Sequence, residues 1–105
     1  MKCVLTGEAT TTMFKGTPCS KEGRELLKET HSRYNSKIKK EFVDKALGRA
    51  KNNEEDLDEE KEDVLRKTFE KLAPKISANS MLKYIKIGVK DALETLQEVK
   101  DERES

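Results

Sequence analysis

The sequence predicts a mainly α-helical protein with a small β part, namely an N-terminal β-hairpin followed by three helices, at least two of them long and amphipathic. Three later stretches carry apolar residues at spacings of three and four, which is the period of one helix face. The stretch TTTMF near the start is instead rich in residues that favour strands. Asn52-Asn53 and Pro74 interrupt the helical pattern and separate the three helices.

The hairpin is predicted over residues 1–17, as two short strands joined at Gly7. Thr17 then suits the N-cap of helix 1 and Pro18 its first position, so this helix is expected over 18–51. Its apolar stripe consists of Leu27, His31, Tyr34, Ile38, Phe42, Ala46 and Leu47.

Helix 2 is predicted over 54–73, with Glu54, Glu55 and Asp56 at the positive end of its dipole. Helix 3 is predicted over 80–101, capped by Asn79 or Ser80. Their stripes are Leu57, Val64, Leu65, Phe69 and Leu72, and then Leu82, Ile85, Val89, Leu93, Leu96 and Val99.

Length and composition predict a single small domain over residues 1–105 with a modest core. Only 33% of the residues are hydrophobic and 41% are charged, which favours stabilisation by a homodimer or a bound partner. No apolar run approaches the roughly 20 residues of a membrane span, and MKCVLTGE lacks a signal-peptide core. These features predict no membrane association, a cytoplasmic location and, therefore, cysteines outside disulfides.

Both cysteines lie in CVLTGEATTTMFKGTPCSKEG, over positions 3–23. Cys3 precedes Thr6-Gly7 at the spacing of a zinc knuckle, and Cys19 begins CSKEG. This pattern resembles a degenerate treble-clef zinc finger in which Thr6 and Gly23 replace two of the four ligands. Tetrahedral zinc needs four ligands, so Cys3 and Cys19 are vestigial candidates and no metal or other cofactor is expected. An ordinary β-hairpin with two incidental cysteines, and a true metal site completed by a second chain, stay open.

Residues suited to catalysis are scarce, and the sequence predicts that the protein is not an enzyme. His31 is the one histidine, and its place on the apolar stripe indicates a packed residue rather than a base. No nucleophile is tied to a base and an orienting group, and there is no phosphate-binding or calcium-binding loop.

Charge is distributed unevenly although the net charge is +1. Residues 24–51 hold nine basic and four acidic side chains, whereas residues 54–63 hold eight acids and one lysine. The candidate partner-binding acids are Asp58, Glu59 and Glu62. The candidate basic face, for a protein or a nucleic acid, comprises Arg33, Lys37, Lys40 and Arg49. These charge blocks could steer a charged partner towards the protein. The alternative is that they solvate helix faces or neutralise each other.

Two functions are compatible with these patterns. The first is a non-catalytic module that binds another protein, most simply a host protein. The opening CxxTG…KGxPxS resembles the N-termini of small bacteriophage proteins, which implies an accessory inhibitor of host machinery such as a defence nuclease, in the manner of anti-CRISPR proteins. The second is nucleic-acid binding or transcriptional regulation by the basic helix 33–51, with Tyr34 available for stacking.

Overall fold

The computed structural model describes residues 1–53 and 57–104. Two short strands, β1 (Met13–Phe14) and β2 (Thr17–Pro18), precede four helices in this part of the chain. The helices are α1 (Lys21–Asn53), α2 (Glu59–Leu72), α3 (Ala78–Ile87) and α4 (Lys90–Glu104). The predicted class, mainly α with a small β part, is confirmed.

The hairpin forms further along the chain than predicted. β1 and β2 pair antiparallel, with Phe14 opposite Thr17, and the turn uses Lys15 (φ 51°) and Gly16 (φ 79°). Positive φ at both central residues gives a two-residue turn the twist of the flanking strands. Gly7 also turns the chain, and its N–H donates to the Cys3 carbonyl over 2.8 Å. That first loop is closed by one bridge between residues 2 and 9 rather than by two strands.

The predicted cap of α1 is wrong, because Thr17 and Pro18 belong to β2. Ser20 takes that role instead. Its hydroxyl accepts from the Gly23 N–H over 3.0 Å, and its carbonyl accepts from the Arg24 N–H over 2.9 Å. The helix then continues without a break to Asn53.

Helix α2 begins later than the predicted residue 54. Asp58 is its N-cap and accepts from the Lys61 N–H over 2.8 Å, and this polar cap fixes the start at Glu59. Glu54, Glu55 and Asp56, which were predicted to open this helix, lie outside the described residues. The helix ends as predicted before Pro74, with Ala73 already extended.

The single helix predicted over 80–101 is two helices. Gly88 adopts a left-handed conformation (φ 81°), its N–H donates to the Ile85 carbonyl, and the Val89 N–H donates to the Tyr84 carbonyl over 2.9 Å. This is a glycine C-cap that ends α3. Ser77, rather than Asn79 or Ser80, caps α3 by accepting from the Ser80 N–H. At the other end, α4 continues to Glu104.

The chain forms two compact units. Unit 1 is Met1–Tyr34 with Ile76–Ser105, and unit 2 is Asn35–Lys75; that they fold as one domain stays a prediction. The core cluster belongs to unit 1 and consists of Cys3, Leu5, Cys19, Leu26, Leu27, Met81, Leu82, Ile85, Ala92, Leu96 and Val99. Among the described positions of unit 2, the buried apolar residues are Val43, Leu47 and Ala73. No described helix combines the length and apolar character that crossing a bilayer requires.

Candidate functional site

Cys3 and Cys19 are buried free thiols in unit 1. A Cβ added to Gly23 would lie 2.5 Å from the Cys3 sulfur and 3.4 Å from the Cys19 sulfur. Both sulfurs therefore lie close to Gly23, near the start of α1. Cys3 Sγ also accepts from the Ser20 N–H over 3.3 Å. Thr6 lies close enough to Cys3 to help lower the pKa of that thiol. The structure therefore brings together Cys3, Thr6, Cys19 and Gly23, the four positions of the treble-clef resemblance.

The donors around Cys3 stabilise its thiolate. Burial alone would raise the pKa of Cys3, but hydrogen bonds from Thr6 and Ser20 outweigh it and lower that pKa from 9.0 to about 6. Burial and the neighbouring Cys3 thiolate raise the pKa of Cys19. The hydrogen-bond donors therefore favour the thiolate form of Cys3, whereas its surroundings favour the protonated form of Cys19.

This pair does not fit a structural zinc ion. Thr6 and Gly23 supply no thiolate or imidazole, and tetrahedral zinc needs four ligands. Within the described residues, no group of three or more histidine, cysteine, aspartate or glutamate side chains is placed to hold a metal. The Cys3 sulfur instead accepts hydrogen bonds from the backbone N–H and the hydroxyl of Ser20.

We expect the free energy of unfolding to rise with pH between about 6 and about 9. In that window the unfolded Cys3 thiol binds a proton that the folded thiolate, with its pKa of about 6, has released. The stabilisation is therefore present at high pH and lost as the pH falls through 6. Urea unfolding of the parent and of Cys3→Ala at several pH values measures this slope. It should vanish in Cys3→Ala and persist in Cys19→Ala; equal slopes in all three proteins would contradict the assignment.

His31 has a structural partner in unit 1. Its Nε2 lies 2.7 Å from the Ile76 carbonyl, which only accepts, so Nε2 carries the proton and donates. The bond connects α1 to the segment that leads into α3. A ring held in this way supports the predicted structural role.

A cleft of about 450 Å³ opens in unit 1 beside the first turns of α1. We call it the basic cleft, because the cations Lys21, Arg24 and Lys28 line it. Its remaining lining residues are Phe14, Glu25, Leu27, His31 and Ala78. The Arg24 guanidinium lies over the Phe14 ring, 5.1 Å from its centroid. This site is not predicted from the sequence. The helix-spaced cations 21, 24 and 28 were a visible signal, but only the folded hairpin brings Phe14 against them.

The predicted acidic residues have different local roles. Asp58 caps α2. Glu62 pairs with Lys51 at 3.2 Å and with Arg66 at 3.5 Å. Glu59 is exposed. Within unit 2, the Lys51–Glu62 pair shows that the acidic and basic blocks partly neutralise each other.

The predicted basic residues divide between the units. In unit 1, Arg33 pairs with Glu98 at 4.0 Å and forms a close hydrogen-bonded ion pair with Glu102. In unit 2, Lys37, Lys40 and Arg49 are exposed. Tyr34, a candidate for base stacking in the sequence, makes an edge-to-face contact with Tyr84 in unit 1, with the ring centroids 6.4 Å apart.

Helix α2 exposes a line of side chains spaced by four residues, Val64, Thr68 and Leu72, which we call the outer face of α2. Val64 is 63% exposed and Leu72 is 66% exposed. The Thr68 hydroxyl donates to the Val64 carbonyl over 2.9 Å, so its polar group is satisfied within the helix. None of the residues of α2 is fully buried.

Comparisons of this chain with protein-family models, with curated proteins and with solved structures found no match.

Proposed function

We propose that this chain is a non-catalytic protein-binding protein and that the outer face of α2 docks into an apolar groove of its partner. The observation that carries the proposal is the exposure of Val64 and Leu72 on a helix of which no residue is fully buried. Scattered exposed apolar side chains are ordinary. Here they share one line on an amphipathic helix, which is the arrangement of helix-in-groove recognition.

The energetics favour such docking. Burying one large aliphatic side chain contributes about 1.5–3 kcal/mol, so Val64 and Leu72 supply an anchor at each end of the line. The Asp58 cap and the Lys67–Asp63 pair at 3.2 Å hold the helix before a partner arrives. A preformed helix loses less conformational entropy on binding than a disordered segment does.

The charges of α2 define the partner surface. Its first turn carries Glu59, Glu60 and Glu62, and the complementary surface is a groove with basic residues at one end. Proteins that process nucleic acids carry such surfaces. Together with the resemblance of the N-terminus to small bacteriophage proteins, this supports a host protein, such as a defence nuclease, as the inhibited partner in the cytoplasm.

We expect single charges on the outer face of α2 to abolish partner capture. Val64→Glu and Leu72→Glu each place a carboxylate where the partner would bury an apolar group, which costs far more than a lost contact. Ile87→Glu is the matched control, since Ile87 is an exposed apolar residue (74%) of α3 in unit 1. The measurement is affinity capture from host extract, followed by binding kinetics with the purified partner. Circular dichroism verifies that each variant is folded.

The outcome that contradicts this proposal is equal capture by the parent, Val64→Glu and Leu72→Glu. Nucleic-acid binding is tested in the same experiment by titrating duplex DNA at rising salt. Binding near 50 mM salt that weakens steeply with added salt, and that is lost on reversing Lys37, Lys40 and Arg49, would favour the alternative function.

A further inference from the structure

We propose that the basic cleft of unit 1 binds an acidic segment of the partner protein. This inference rests on the proposed function and names a second contact for it. It is carried by the juxtaposition of three cations, one aromatic ring and a concave surface of about 450 Å³.

The cations of the cleft are available to a ligand. Lys21, Arg24 and Lys28 are exposed, and none of them forms an ion pair with a carboxylate of the described chain at 4.0 Å or less. The acids nearby are used differently. Glu29, on the same helix, accepts from Arg103 over 2.7 Å, and Glu25 is the one carboxylate among the residues that line the cleft. The cleft therefore carries an excess of two positive charges.

The geometry of Arg24 favours carboxylate recognition. Its guanidinium lies over the Phe14 ring, and this contact restricts the side chain before a ligand arrives. A guanidinium presents paired N–H donors whose spacing matches a carboxylate. Lys21 and Lys28, one turn or so to either side along α1, add charge without demanding a particular orientation. Phe14, which is only partly buried, supplies apolar surface for the stems of the incoming side chains.

The pattern favours a peptide over a nucleic acid. Glu25 in the cleft accepts hydrogen bonds, and a peptide has backbone N–H groups to donate to it, whereas a phosphodiester backbone has none. Nucleic-acid binders also carry basic surface beyond a single cleft, whereas this chain has a net charge of +1.

The test uses the full-length chain and a fluorescently labelled peptide in which glutamate alternates with leucine, measured by fluorescence anisotropy. The triple variant Lys21→Glu, Arg24→Glu, Lys28→Glu should weaken peptide binding about tenfold or more, since three exposed pairs are lost at once. The matched control Lys83→Glu, Lys86→Glu, Lys90→Glu makes the same change in charge on exposed lysines of unit 1 outside the cleft. It should bind within about twofold of the parent at ionic strengths that screen long-range charge.

Stability separates binding from folding. Lys21, Arg24 and Lys28 are exposed, and exposed substitutions usually change stability by only about 0.5 kcal/mol, so the thermal midpoint of the cleft variant should stay close to that of the parent. If it does not fold, the neutral variant Lys21→Gln, Arg24→Gln, Lys28→Gln takes its place and should also lose binding.

Three results would overturn the inference: equal peptide binding by the cleft and control variants, equal binding of a peptide with glutamine in place of glutamate, or displacement of the peptide by single-stranded DNA of the same charge at lower concentration. Failure here is distinguishable from failure of the proposed function. If the peptide does not bind while Val64→Glu still abolishes partner capture, the cleft is not a contact and α2 still is. If the peptide binds while Val64→Glu and Leu72→Glu capture normally, the docking of α2 is wrong.

Discussion

Replacing Gly23 by alanine should destabilise the protein by about 1–3 kcal/mol, the range for overpacking a filled core. The added Cβ would lie 2.5 Å from Cys3 Sγ, well inside van der Waals contact, and 3.2 Å from Ser20 Oγ, which is a tight contact. Cys3 is 1% exposed and cannot swing into solvent. Ser20 caps α1 and cannot move without loss of its bond to the Gly23 N–H. The clash therefore exceeds the gain in helix propensity from Gly to Ala, about 1 kcal/mol.

Gly48 is the matched control, since it also lies within α1 but has nothing within 4 Å of an added Cβ. Gly48→Ala should stabilise the protein by about 0.5–1 kcal/mol through propensity alone. The measurement is urea unfolding of both variants. A double-mutant cycle with Cys3→Ala assigns the cause, because removing the sulfur should make Gly23→Ala less costly. A stabilising Gly23→Ala, or an unchanged cost in the Cys3→Ala background, would show that the sulfurs do not fill this space.

The sequence predicts those parts of the fold that depend on local patterns. Spacings of three and four residues indicated the helices, and Pro74 indicated where α2 stops. The sequence does not predict correctly where the hairpin turn lies or where the last predicted helix divides, because several glycines could have formed these turns. The paired strands flank Lys15-Gly16, whereas a single bridge between residues 2 and 9 closes the loop at Gly7. A glycine at position 88 is compatible with the interior of a helix, where it lowers stability, or with a left-handed C-cap. The hydrogen bond from the Val89 N–H to the Tyr84 carbonyl shows that it forms the cap.

The candidate sites were predictable to a smaller extent. The spacing of Cys3, Thr6, Cys19 and Gly23 follows from sequence, and the structure brings those positions together. The basic cleft does not follow from sequence, because Phe14 and the cations of α1 line one cleft only after the chain has folded. Likewise, charge runs cannot reveal that Arg33 is paired with Glu102, since that contact joins helices distant in sequence.

Hydrogen exchange should show that unit 2 opens at a much lower free energy than unit 1. The core cluster of unit 1 contains eleven buried residues, whereas Val43, Leu47 and Ala73 are the buried apolar residues among the described positions of unit 2. Each buried aliphatic side chain contributes about 1.5–3 kcal/mol. The surface ion pairs of unit 2 contribute about 0–1 kcal/mol each and do not offset this difference. After correction for intrinsic rates, amides of 37–53 should exchange at least about a hundredfold faster than amides of 24–34.

Helix α1 makes this comparison stringent, since both sets of amides belong to one continuous helix. Leu47→Ala should accelerate exchange within 35–75 alone, as expected for local opening. Leu82→Ala, at a site 1% exposed in the core of unit 1, should lower the global stability by about 2–5 kcal/mol. Uniform protection along α1 would instead show one cooperative unit. If exchange is faster in the second part of α1, a bound partner that buries Val64 and Leu72 should raise the protection of amides 59–72 most. The reason is that a partner that binds only folded α2 suppresses its unfolding. The same exchange experiment, repeated with Val64→Glu and the partner, should show no such protection.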